Sequence, residues 1–152
     1  MPGVACGPFR PVRATTHHRA MALPVPLPAH PIRVVVVDGD DRVRESLAGI
    51  LAASEWVDVL GTAGDPGAAL ALVVASRPDA LILDPRLPDL DAAVAFIASV
   101  RAELPGICIL AMSWSDPMEH AALAAGADGF VRKTYRSSEL VAALIAAIDA
   151  CS

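Results

Sequence analysis

IRVVVVDGDDRVRESL, residues 32–47, is the stretch that decides the fold of this chain. Its four consecutive valines, Val34–Val37, are a β-branched run that predicts a strand buried on both faces. A short acidic turn follows, and from Asp41 onward the apolar residues Val43 and Leu47 recur at helical spacing. A buried strand that leads directly into a helix is typical of the start of a parallel βαβ unit.

The same alternation continues to the end of the chain. The further predicted strands are Trp56–Leu60 (closed by Gly61), Ala80–Leu83, Ile107–Ala111 and a short strand centred on Phe130-Val131. The predicted helices are Asp41–Ala53, Pro66–Ser76, Ala92–Glu103, about Pro117–Ala125 (stopped by Gly126) and Ser137–Ala150. Five strands alternating with five helices imply an α/β fold with a parallel sheet covered on both faces. Short right-handed crossovers favour the doubly wound, flavodoxin-like strand order 2-1-3-4-5.

Composition narrows the classes of protein to which the chain can belong. Its 152 residues fit one domain with a sizeable core, and its apolar runs fall far short of the roughly 20 residues that cross a bilayer. The formal net charge of −5 argues against a nucleic-acid-binding surface as the main function. Cys6, Cys108 and Cys151 are too scattered for a disulfide framework or a metal-ligand motif. We therefore expect free thiols and a reducing, cytoplasmic location.

Residues 1–31 differ from the rest of the chain. No acidic residue occurs before Asp38, and the segment ends in the proline-rich LPVPLPAHP at 23–31. Proline removes backbone donors and fixes φ, so we expect an extended or disordered lead followed by one folded domain at 32–152. The prolines also interrupt the apolar stretch, which argues against a signal peptide. Met21 is an alternative start to Met1.

Charged residues follow three of the predicted strands at their carboxyl ends. Asp38 follows the first strand, Asp84 the third and Lys133 the fifth. In doubly wound sheets, ligands bind at these ends, around the switch in strand order. Carboxylates suit Mg²⁺, which prefers oxygen ligands, and a lysine supplies positive charge for a bound phosphate. The pattern predicts acyl-phosphate chemistry, with one aspartate as the nucleophile.

Three segments resemble the CheY-like receiver domains of response regulators, in the variety that precedes a NarL/LuxR-type DNA-binding domain. The segments are IRVVVVDGDDRVRESL at 32–47, RPDALILDPRLPDLD at 77–91 and AAGADGFVRK at 124–133. The resemblance covers about Ile32 to Ala150. It implies a signalling domain in a two-component phosphorelay rather than an enzyme. It also implies Mg²⁺ as the cofactor, and a sensor histidine kinase or a phosphotransfer protein as the partner.

The resemblance assigns roles to individual residues. Asp84 is the implied phosphoacceptor, Asp38 belongs to the acidic metal cluster, and Lys133 is the phosphate-contacting lysine. Arg86, two residues beyond the acceptor, is implied to offer its backbone carbonyl to the metal. Phe130 falls where the family has a switching aromatic residue, and a core-packing role is an equal alternative.

Two positions depart from the family pattern. Gly39 stands where a second acid normally follows the first strand. Asp40, one residue late, is either a further metal ligand or the cap of the first helix, and the cap is favoured. Counting back from Lys133 puts Ala111 where a Thr or Ser contacts the phosphoryl group, so a hydrogen bond worth about 1.5–3 kcal/mol is lost. Ser113 is expected to be a loop serine beyond the strand. A phosphorylation-independent interaction module is therefore the alternative function, and phosphoacceptance is favoured because the acceptor and the lysine are retained.

A phosphatase is a remote alternative. The segment VVVVDGD at 34–40 also resembles the start of haloacid-dehalogenase-type phosphatases, with Asp38 as the nucleophile and Asp40 as the general acid/base. That family's Gly-Thr after the second aspartate is missing, and no suitable acidic motif follows Lys133.

The end of the chain carries the remaining expectations. After the last predicted helix, the chain to Ser152 leaves no room for a helix-turn-helix domain, so we expect a stand-alone receiver or a truncated regulator. The apolar run LVAALIAAI at 140–148 is either a packed helix or a homodimer face, and packing is favoured. Trp114 is expected at the surface, in the loop after the fourth strand.

Overall fold

Strands and helices alternate throughout the described residues, 27–114 and 118–151, of the computed structural model. The strands are β1 (Ile32–Val37), β2 (Val57–Ala63), β3 (Ala80–Leu83), β4 (Cys108–Ser113) and β5 (Gly129–Arg132). The helices are α1 (Asp41–Ala52), α2 (Pro66–Ser76), α3 (Leu90–Glu103), α4 (Met118–Ala124) and α5 (Ser137–Cys151). All strand pairs are parallel, in the order β2-β1-β3-β4-β5. The predicted fold class and strand order are confirmed, whereas most of the proline-rich lead, residues 1–26, lies outside the described residues.

The sheet separates two apolar layers, because successive side chains of a strand point to opposite faces. Val34 and Val36 of β1 belong to the layer that also contains buried residues of α1 and α5. Val35 and Val37 belong to the layer that contains buried residues of α2 and α3. All four valines are at most 1% exposed, so β1 is buried on both faces, as its sequence predicts.

Strand β2 is longer than predicted, since it continues through Gly61 to Ala63. Gly61 was expected to close the strand, and this expectation is wrong. A Cβ atom built on Gly61 would lie 3.0 Å from Cδ2 of Leu72 in α2. The glycine therefore permits close packing of a helix on the strand instead of ending it.

Strand β4 also extends beyond its predicted end at Ala111, as far as Ser113. Ser113 is fully buried, and its carbonyl oxygen accepts a hydrogen bond from the Lys133 amide at 2.9 Å. The expectation that Ser113 is a loop serine is wrong. Continued pairing with β5, in which Ser113 lies opposite Arg132, explains why a polar residue remains in the strand.

The connection from α4 to β5 depends on a glycine and an aspartate. Gly126 follows α4, as predicted. Its φ angle is 115°, a backbone conformation that residues with a Cβ atom rarely adopt. Asp128 Oδ2 accepts hydrogen bonds from the Ile109 amide at 2.8 Å and from Arg101 at 2.7 Å. The segment that precedes β5 is thereby joined to β4 and to α3.

Helix α5 uses its large apolar side chains for packing. Leu140, Val141, Leu144 and Ile145 are buried against the sheet and α1. The apolar residues of the 140–148 run that remain exposed are alanines: Ala142, Ala143 and Ala146. The favoured interpretation of this run as a packed helix is therefore confirmed.

A disulfide joins the start of β4 to the end of α5, between Cys108 and Cys151. The expectation that these cysteines remain free thiols is wrong. The two residues are 43 positions apart in sequence, but the fold returns α5 to the amino end of β4, where their Cα atoms are 6.0 Å apart. This distance lies in the usual range for disulfides.

None of the helices in the described part of the chain is long and apolar enough to cross a membrane.

Candidate functional site

Strand register brings the two predicted acidic residues together. Val37 of β1 lies opposite Leu83 of β3, so the residues that follow, Asp38 and Asp84, leave the sheet side by side. The Asp84 amide donates a hydrogen bond of 3.0 Å to the Val37 carbonyl, which continues the pairing by one residue. Both side chains extend from the carboxyl edge of the sheet, where α/β proteins bind ligands.

Lys133 completes a buried cluster of three charges. Its Nζ atom lies 2.6 Å from Asp38 Oδ2 and 2.9 Å from Asp84 Oδ2. Asp38, Asp84 and Lys133 are only 4%, 8% and 5% exposed. Lys133 is also the only lysine in the 152 residues. The three residues that the sequence selected therefore meet at one point, with the ammonium group between the carboxylates.

The other oxygen of each carboxylate is held by the backbone. Asp38 Oδ1 accepts a hydrogen bond from the Asp40 amide at 2.9 Å, and Asp84 Oδ1 accepts one from the Arg86 amide at 2.9 Å. Arg86 Nε lies 3.7 Å from Asp84 Oδ1, on a side chain that is 54% exposed. These contacts orient both carboxylates, and they bring the Arg86 backbone next to the cluster. The metal-binding role of the Arg86 carbonyl stays a prediction.

Asp40 caps helix α1, which is the role that the sequence favoured over metal binding. Its Oδ1 accepts hydrogen bonds from the Arg42 and Val43 amides at 3.0 and 3.1 Å, as the N-cap of α1. At Gly39, a Cβ atom would lie 3.4 Å from Leu87 Cδ1 and 3.9 Å from the Gly64 carbonyl oxygen. A Cβ atom at position 39 would therefore make ordinary van der Waals contacts, but the glycine supplies no carboxylate.

Strand β4 presents no hydroxyl at Ala111. This residue lies opposite Leu83 of β3 on one side and opposite Phe130 of β5 on the other, and it is 1% exposed. Phe130 is half-buried beside it. By strand alternation, Ser113 lies on the same face of β4 as Ala111, two residues nearer the carboxyl edge. The switching roles of Ala111 and Phe130 stay predictions.

One aromatic ring lies next to the cluster and a second ring packs against the first, and sequence reasoning found only the first. Trp114 follows β4, as expected, and Tyr135 lies two residues beyond Lys133. Their ring centroids are 5.0 Å apart. The sequence signal for Tyr135 was only its position after a strand that ends at the candidate site.

The cluster suits a hard divalent cation. Asp38 and Asp84 contribute two negative charges and Lys133 one positive charge, so −2 + 1 leaves a net charge of −1. Mg²⁺ is usually bound by one or two carboxylates together with waters and phosphate oxygens. The two aspartates fit this pattern, while Asp40 is occupied as a helix cap.

The chain is similar to known proteins over most of its length. Residues 34–145 match the family model of the response regulator receiver domain. The chain is 36% identical over 115 residues to the DNA-binding transcriptional activator DevR/DosR of Mycobacterium tuberculosis, covering 74% of this chain and 52% of that protein. It is 37% identical over 115 residues to the probable transcriptional regulatory protein NarL of the same species, covering 75% of this chain and 53% of that protein. The chain thus spans about half the length of these curated relatives.

A solved structure extends the likeness to three dimensions. The signal receiver domain of the putative response regulator NarL from Mycobacterium tuberculosis superposes with a TM-score of 0.66 at 36% identity. The superposition covers 78% of this chain and 97% of that domain.

Proposed function

The chain belongs to the response regulator receiver family, and from that premise we propose that its Asp84 accepts a phosphoryl group in a two-component phosphorelay. The observation that carries the proposal is the contact of the Lys133 ammonium with both Asp84 and Asp38 at the carboxyl edge of the sheet. A buried lysine that reaches an acceptor carboxylate is available to contact the phosphoryl oxygens after transfer.

The proposed step is a transfer between oxygen atoms. An Asp84 carboxylate oxygen attacks phosphorus, the bond from phosphorus to the donor breaks, and the donor leaves with the electron pair. Lys133 stabilises the added negative charge, and its contact with Asp38 holds its ammonium group beside the acceptor. Mg²⁺, held by Asp38, Asp84 and the Arg86 backbone carbonyl, would neutralise charge on the phosphoryl oxygens when bound.

We propose that the signal leaves the domain through the surface formed by β4, β5 and α5. Lys133 directly follows β5, so a change in its contacts acts on the strand that contains Phe130. Phe130 is half-buried next to Ala111, where the small alanine side chain limits the packing around the ring. The proposed partners are a sensor histidine kinase or a phosphotransfer protein. The proposed location is the cytoplasm, although the Cys108–Cys151 disulfide removes the argument from free thiols.

The experiment that tests the proposal is labelling by a small phosphodonor. We expect acetyl phosphate to add one phosphoryl group to the wild-type protein in a Mg²⁺-dependent manner, detected by intact mass. Asp84→Asn keeps the size of the side chain and removes the nucleophile, and we expect it to remain unlabelled. Equal labelling of both proteins, or none of a folded wild-type protein, would refute the proposal.

A second function follows from the two departures in the site. Gly39 supplies no carboxylate and Ala111 no hydroxyl, so the phosphorylated state has fewer contacts than in the family pattern. These observations favour an interaction module that binds its partner without phosphate as the alternative. Equal partner affinity of the wild-type and Asp84→Asn proteins, with acetyl phosphate present, would select this alternative.

Two other hypotheses receive less support. A phosphatase would need Asp40 as a general acid/base in the cluster, whereas the Asp40 carboxylate caps α1. A homodimer through α5 would rely on a face whose exposed apolar residues in the 140–148 run are alanines. We therefore propose a phosphoacceptor rather than an enzyme, and a homodimer stays a secondary proposal.

A further inference from the structure

Two large aromatic side chains are exposed side by side at the carboxyl edge of the sheet. Trp114 follows β4 and is 37% exposed, and Tyr135 follows β5 and is 56% exposed. Their rings are tilted by 55° with centroids 5.0 Å apart, a favourable arrangement for an aromatic pair. The two rings come from different loops and belong to neither of the apolar core layers, so packing of the core does not explain them.

The Trp114 ring lies next to the proposed phosphoacceptor. Lys133 Nζ is 5.8 Å from the centroid of the Trp114 ring, within the range of a cation–π contact. The same nitrogen atom lies 2.9 Å from Asp84 Oδ2. Lys133 therefore lies between the Trp114 ring and the acceptor Asp84, and Tyr135, which follows β5, packs against the Trp114 ring.

We propose that Trp114, supported by Tyr135, is a subsite for the planar ring of an N-phosphorylated imidazole donor. The inference rests on the proposed function and adds a preference among donors to it. An indole that is 37% exposed beside a phosphoryl site can stack on a planar aromatic heterocycle such as imidazole. A donor without a ring gains nothing from this surface.

The chemistry of the step is balanced without a further reagent. An oxygen atom of Asp84 attacks phosphorus, and the bond from phosphorus to the ring nitrogen breaks as the new phosphorus–oxygen bond forms. The imidazole leaves with the electron pair and takes a proton from water. Stacking on Trp114 orients the donor before this step, so it acts through positioning.

The test compares three donors on the same variants. Phosphoimidazole has a ring and a P–N bond, phosphoramidate has a P–N bond without a ring, and acetyl phosphate has neither. We expect Trp114→Leu to lower the labelling rate with phosphoimidazole about 5-fold, the loss of one stacking contact. Rates with the other two donors should fall much less, because those donors depend only on the contact of Trp114 with Lys133. Trp114→Phe, which keeps a ring, should recover most of the rate, and Tyr135→Leu should give a smaller selective loss.

The control variant is Leu123→Ala, which removes another exposed apolar side chain (43% exposed) on α4. It should leave the rates with all three donors unchanged, and circular dichroism checks that each variant is folded. Equal losses with all three donors would mean that the rings only shield Lys133, and unchanged rates would mean that they contribute nothing. Either result overturns the inference but leaves the proposed function intact. Failure of every donor to label the wild-type protein would instead refute the proposed function, and the inference with it.

Discussion

The two edges of the sheet are held together by different chemistry. At the carboxyl edge, two carboxylates and one ammonium group are buried together with a net charge of −1. At the amino edge, the Cys108–Cys151 disulfide joins β4 to α5 covalently. Burying charges is costly unless each is paired, whereas a disulfide stabilises by restricting the unfolded chain. The charged edge therefore holds the residues of the proposed phosphoryl transfer, whereas the disulfide at the amino edge contributes only stability.

Lys133→Met should have the largest effect, because it leaves two carboxylates buried without their cation. We expect the free energy of unfolding, measured with urea, to fall by about 3–5 kcal/mol. Labelling by acetyl phosphate should fall about 100-fold, as when one stabilising group is removed from a charged transition state. The control is Arg136→Met, which breaks an exposed ion pair with Glu139 and should change stability by at most about 0.5 kcal/mol. If Lys133→Met and Arg136→Met had the same free energy of unfolding, pairing of the two buried carboxylates with Lys133 would not stabilise the fold.

Cys151→Ser tests the opposite edge. Under non-reducing conditions, we expect the free energy of unfolding to fall by about 2–4 kcal/mol, since a loop that spans 43 positions is no longer closed. Labelling at the distant carboxyl edge should remain at the wild-type rate. Cys6→Ser is the matched control, because it removes a cysteine that takes no part in this bond. A large loss of labelling in a folded Cys151→Ser protein would show that the two edges are not independent.

Ala111→Ser should have a smaller effect, directed at the phosphorylated state. The added hydroxyl supplies the hydrogen-bond donor that the family pattern has in β4. A hydrogen bond to a charged group contributes about 1.5–3 kcal/mol, so we expect about 10-fold tighter binding of beryllofluoride. Tryptophan fluorescence can follow the titration, because the Trp114 ring lies 5.8 Å from Lys133 Nζ. Ala142→Ser, on the exposed face of α5, is the control, and equal affinities for all three proteins would argue against a phosphoryl-contacting role for position 111.

The sequence predicted the fold and the charged cluster for the same reason. The run of valines before Asp38 and the apolar strand before Asp84 fix which residues end at the carboxyl edge. The parallel register then leaves these residues side by side, whatever the details of the helices. Lys133 could be predicted as well, since it follows the last strand.

The features that the sequence did not predict depend on tertiary contacts between distant segments. Cys108 and Cys151 come together only because α5 returns to the start of β4. Gly61 continues β2 because Leu72 packs against it, and this contact is not visible in the local pattern. Tyr135 reaches Trp114 across two loops, and loop geometry does not follow from hydrophobic periodicity.

Identification of the phosphorylated residue tests the central claim most directly. The wild-type protein is labelled with acetyl phosphate and Mg²⁺, the acyl phosphate is reduced with borohydride, and the resulting homoserine is located by peptide mass mapping. We predict homoserine at position 84, with Asp38 and Asp40 unchanged. Homoserine at position 38 or 40, or none in a folded protein, would contradict the assignment of Asp84 as the phosphoacceptor.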